Sequence, residues 1–132
     1  MLGRKDYPQD YIDHCRTTIH TQLAAYRSLD DGPPKDEFEP LFFNNLVLVL
    51  DYFFVHRLVM VAGKDGNPLN EVRVIAESLV LNRGVMRQDK SIKLVPDESV
   101  LNLQPGDSIR LTEHDFERLA KAYFAEVEAR FT

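Results

Sequence analysis

LFFNNLVLVLDYFFVHRLVMVA, residues 41–62, is the most apolar run in the chain, yet Asn44, Asn45, Asp51, His56 and Arg57 sit inside it. Its length approaches the roughly 20 residues of a membrane span. Asp51 and Arg57 would each cost about 2.5–3.5 kcal/mol near a bilayer centre, before His56 and the asparagines are counted. The run therefore reads as one continuous helix of a globular domain. It starts near Phe38, with Asp36 or Glu37 near its cap and Pro40 in its first turn, and ends at Gly63, a suitable left-handed C-cap. A helix apolar nearly all round lies at the centre of a bundle or completes its cover with a second subunit. A homodimer is the expected state.

Helical signals flank this run on both sides. Asp6, Pro8 and Gln9 read as an N-cap, a first-turn proline and the third position of a capping box. Ile12, Cys15, Ile19, Leu23 and Tyr26 then recur on one face, so a first helix is expected to about Leu29. Residues 30–34, DDGPP, break it and form a stiff connection. Beyond the GKDG turn, Asn67 caps a third helix opened by Pro68, with Leu69, Val72, Ile75, Ala76 and Leu79 inward and a stop at Gly84. Helices two and three form an αα-hairpin.

Residues 85–111 change character. Ser91–Val95 and Ser108–Leu111 are short β-branched alternations, and QPGD at 104–107 places proline and glycine as a type II turn requires. This predicts a two-stranded antiparallel β-ribbon with an irregular excursion, Pro96 to Leu103, between its arms. Thr112 caps a last helix whose inner face is Phe116, Leu119, Ala120, Tyr123, Val127 and Phe131. The expected fold is mainly α: a four-helix bundle-like single domain over residues 1–132, with that small ribbon before the last helix.

The polar residues of the central run admit two readings. At about 100° per residue Asn44 and Asp51 share one line of the helix, Asn45 and His56 a second, and Arg57 lies on a third side. They do not converge without help from other helices. In one reading they form a hydrogen-bonded register lock, with Glu71 or Glu77 pairing Arg57 and Ser78 or Asn82 reaching Asp51 or an asparagine. An unmatched buried polar group costs about 1–3 kcal/mol, which disfavours slippage. In the other they line a small-molecule pocket. Asp51 is then base or anchor, His56 the acid–base group or a ligand donor, Asn44 and Asn45 orient the ligand, and Arg57, Lys64 and Arg73 clamp an anion beside the GKDG turn.

Other chemistries find little support. A net charge of −5 argues against a nucleic-acid partner, which calls for a basic face. The GKDGN turn follows a helix and lacks phosphate-loop spacing, and DGNPLNE lacks EF-hand spacing. No Glu-x-x-His pair exists, and His14, His20, His56 and His114 never fall at i,i+4, so no metal or cofactor is expected. Cys15, on an apolar stripe, reads as a buried thiol of a reducing compartment. The start MLGRKDYPQDYIDH lacks the apolar segment of a signal peptide, so a cytoplasmic location is expected, with no membrane association.

The run FEPLFFNNLVLVLDYFFVHR, followed by GKDGNPLNEVRV and later by the DK and GDSIRLTE stretches, resembles a family of small uncharacterised bacterial proteins across residues 38–131. The resemblance implies a free-standing bacterial protein. It brings no activity, cofactor or functional residue with it. The function expected is therefore non-catalytic assembly or partner binding; the alternative is a small-molecule-binding protein or enzyme built on Asp51, His56 and Arg57.

Overall fold

A computed structural model describes residues 3–132 as five helices: α1 (Gln9–Arg27), α2 (Pro33–Phe53), α3 (Val59–Ala62), α4 (Pro68–Leu81) and α5 (Glu113–Phe131). The inward stripes of α1 and α5 are as the periodicity predicts. Ile12, Cys15, Ile19, Leu23 and Tyr26 are buried on α1, and all six expected residues on α5 are buried together with Phe124. The hub of the fold is α5, which packs against each of the other four helices. The outer side of α2 faces solvent. Helix two is therefore not the central helix, and the expectation that it is sequestered is corrected.

Side-chain caps start two of the helices, α4 and α5. The Thr112 hydroxyl accepts from the Asp115 N–H while the Asp115 carboxylate accepts from the Thr112 N–H, a reciprocal box that starts α5. Asn67 starts α4 by accepting from the N–H of Leu69 at 2.9 Å. The first helix has no side-chain cap; Pro8 occupies the N-cap position instead of Asp6. Pro33 and Pro34 form the first turn of α2, where their missing donors cost nothing, which leaves Pro40 inside the helix rather than in its first turn.

Residues 41–62 are not one continuous helix. After Phe53 the chain turns, and its backbone groups find other partners. The Tyr11 hydroxyl donates to the Phe53 carbonyl at 2.6 Å, and the Arg57 guanidinium donates to that of Phe54 at 2.9 Å. Arg4 donates its N–H to the His56 carbonyl at 2.7 Å and accepts from the Leu58 N–H at 2.8 Å, a short parallel pairing that replaces the helical ladder. Gly3 permits this approach: a Cβ there would stand 2.7 Å from the Leu58 Cα. A single helical turn, α3, precedes the reversal at Gly63, whose φ is +78°.

The β-ribbon is also corrected; the described residues contain no β-strand. Ser108 forms one isolated antiparallel bridge, and its partner is Val85 rather than any residue of 91–95. The reason lies in where the backbone groups go. On the far side of 109–111 the Asn44 amide takes the place of a strand, donating to the Ile109 carbonyl at 2.8 Å and accepting from the Leu111 N–H at 3.1 Å. Segment 91–95 is held elsewhere, because Asp89 accepts from the N–H groups of Ser91 and Ile92. The 104–107 turn does form as expected, with Gly106 at φ +97° and an Asp107 N–H to Gln104 carbonyl bond of 3.0 Å.

Candidate functional site

Of the seven sequence candidates, three come together and four lie apart. Asp51, Arg57 and Arg73 come together: one Asp51 oxygen lies 3.3 Å from the Arg57 Nη2 and 3.3 Å from the Arg73 Nε. Arg57 is buried, and its terminal nitrogens find the carbonyls of Phe54 and Leu69, the Tyr123 hydroxyl and Asp51. The guanidinium thus ties the end of α2 to the start of α4 and to α5. Burial pushes the Tyr123 phenol well above its ordinary range, although Arg57 beside it pulls the other way. The geometry is that of a closed polar network whose strongest donors are engaged by protein.

The remaining four candidates lie apart from it. Asn44 is the clamp on residues 109–111. Lys64 is exposed in the turn after α3. His56 is exposed where the chain leaves α2, beside a shallow groove of about 350 Å³ that it shares with Arg57, Leu58 and Met60 but not with Asp51. Asn45 sits on the outer side of α2. The carboxylates proposed as partners of Arg57 are engaged elsewhere: Glu71 holds the N–H groups of Val100 and Leu101, and Glu77 pairs Arg87. Arg57 folds back onto its own helix because the chain turns at Phe54, so the straight-hairpin register does not apply.

Asn45 is the centre of the surface that most needs a physical account. Phe38, Leu41, Phe42, Asn45, Leu48, Val49 and Tyr52 recur with heptad spacing along α2, in the pattern of a helix with a partner. Leu41 is 63% exposed and Tyr52 72%, with Phe38 and Val49 near 40%. No charged side chain interrupts the stripe. A groove of about 220 Å³ runs beside it, lined by Gln22 of α1 together with Phe38, Phe42, Asn45, Leu46 and Val49. Phe42 and Leu48 are half-buried against the core, and Phe42 stacks on Tyr26 of α1. The exposed line is therefore Phe38, Leu41, Asn45, Val49 and Tyr52, apolar but for its centre, where scattered apolar residues would be ordinary. The periodicity that made helix two look central was reporting two faces, one for the core and one outside it.

Among the described residues no helix is long and apolar enough to cross a membrane. No protein-family model, no curated protein and no solved structure matches this chain.

Proposed function

We propose that this chain is a non-catalytic assembly protein of the cytoplasm that pairs with a second copy of itself through the outer face of α2. The observation that carries this reading is the symmetry of the exposed stripe about Asn45. When two copies of α2 meet antiparallel across a two-fold axis at that residue, Phe38 faces Tyr52, Leu41 faces Val49, Phe42 faces Leu48, and Asn45 faces its own counterpart. Every apolar member thus meets an apolar member, as a self-complementary interface requires. A pair of amides at the centre satisfies both asparagines and penalises shifted registers.

Size and charge set the expected strength. From Phe38 to Tyr52 the face spans about 21 Å of helix, so the contact falls below the roughly 800 Å² per partner of stable assemblies. A weak pair, with a dissociation constant on the order of micromolar, is the expectation for a contact of this size. Two copies with a net charge of −5 repel each other, while the contact itself is uncharged, so added salt strengthens the dimer. The unpaired, buried Cys15 fits a reducing compartment.

Sedimentation equilibrium at 10–200 μM, taken here as about ten to a hundred times a low-micromolar dissociation constant, tests the pairing. The expected result is a dimer that becomes monomeric in Leu41→Glu and Tyr52→Glu with unchanged helicity. Oxidative cross-linking tests the geometry. Asn45→Cys links to itself, Phe38→Cys does not, and a mixture of Phe38→Cys and Tyr52→Cys links in the heterologous combination. A wild-type monomer throughout, or equal self-linking at positions 38 and 45, refutes the proposal.

A further inference from the structure

Residues 86–105 do not lie flat on the helices. They arch over α4 and leave a cleft of about 360 Å³, within the size range of small-molecule sites. Its apolar surface comes chiefly from Val74, Met86, Ile92, Leu94 and Leu103, and its polar side from Arg87, Asp89 and Lys93 with the amides of residues 88, 102 and 104. The arch is fastened at three points. Glu71, 1% exposed, accepts from the Ser99 hydroxyl and from the N–H groups of Val100 and Leu101 at 2.8–3.0 Å. Asp89 holds Ser91 and Ile92 at 2.8 and 2.9 Å. Gly66 lets the chain approach so closely that a Cβ there would stand 2.8 Å from the Lys93 carbonyl. A loop pinned along its length cannot simply collapse into the space beneath it.

One donor in this region lacks a mate. The Arg87 Nη2 donates to Asp89 at 3.1 Å and also to Glu77, and its Nε is buried out of reach, so Nη1 is the nitrogen left to meet a molecule in the cleft that Arg87 lines. An acceptor supplied from the cleft would give that nitrogen the partner it lacks. Asp89 on the lining and Glu77 behind Arg87 match the charges of Arg87 and Lys93, so the site offers an anion no net positive charge. A neutral oxygen fits better. We infer that this cleft binds a small, uncharged, largely apolar molecule that presents a carbonyl-type oxygen to Arg87. This site is separate from the α2 face and does not depend on it.

The neutral naphthyl ketone 6-propionyl-2-(dimethylamino)naphthalene is a suitable probe, because its emission shifts to the blue on leaving water. Titration into the wild-type protein is expected to saturate at one probe per chain. Arg87→Lys keeps the charge but removes the guanidinium donors, and is expected to weaken binding about tenfold. Ile92→Trp fills the cleft and abolishes saturation. Methyl resonances of Val74, Ile92, Leu94 and Leu103 are expected to move on binding. Three results overturn the inference: absence of saturable binding, shifts at Leu41 and Val49 in place of the cleft methyls, or a probe affinity unchanged in both variants. Tenfold tighter binding of the anionic 1-anilinonaphthalene-8-sulfonate at the same methyls overturns the uncharged class.

Discussion

Asn44 stands in for a strand. With its donor on the Ile109 carbonyl and its acceptor on the Leu111 N–H, one side chain satisfies the edge of a segment that would otherwise need a β partner. Asn44→Ala strips both groups, so a loss of about 1–3 kcal/mol is expected in chemical denaturation. Asn44→Asp keeps the acceptor, restores the Leu111 contact alone, and should fall between. Arg57 works at a three-way junction of α2, α4 and α5. Arg57→Met leaves two carbonyls and Tyr123 without their donor, but Arg73 stays on Asp51, so the cost should lie near the low end for a broken buried pair, about 3 kcal/mol. Combined with Asp51→Asn, the two losses should add to less than their sum, as members of one network do.

The elements show how a few polar anchors shape long stretches of chain. The second helix ends at Phe53 because Tyr11, Arg57 and the Arg4 backbone offer its last groups better partners than another turn would. The arch over α4 is shaped by Glu71, whose carboxylate accepts three donors from residues 99–101. Glu71→Gln replaces one acceptor oxygen with a donor and exposes a mismatch worth about 1–3 kcal/mol. Amide exchange should then quicken at Val100 and Leu101 while α1 and α5 stay protected, since local opening need not involve the whole molecule. Equal acceleration throughout would mean instead that Glu71 supports the global fold.

Across the whole molecule, aromatic packing ties the N-terminal segment to the bundle. Phe54 sits amid Tyr7, Tyr11, Tyr123 and Phe124, with ring centroids 4.9–6.2 Å away. Burial raises the phenol pKa of Tyr7 and Tyr123, and burial together with the Cys15 sulfur, toward which its hydroxyl can donate, pushes Tyr11 up to about 12. The native state therefore favours neutral phenols. An unfolded chain ionises them near 10, so this contribution to stability is complete below that pH and is lost as pH rises from about 10 to about 12. The melting temperature should fall across that window, and Tyr11→Phe should fall less steeply than wild type.

Local chemistry was legible where it answers to near neighbours. The 3.6-residue stripes of α1 and α5, the Asn67–Pro68 start, the Thr112 cap and the Gln104–Asp107 turn depend on residues within a turn or two, and they appear as read. The partners of Asn44, Glu71, Arg57 and Arg4 lie in distant segments, and spacing carries no trace of them. Hence the break after Phe53 and the missing ribbon could not be foreseen. Apolar residues on every side of helix two were visible in the chain, but which side meets α4 and α5 and which meets water is settled by the competition among all helices for one core. In that competition α5 takes the centre, and the stripe around Asn45 is left outside.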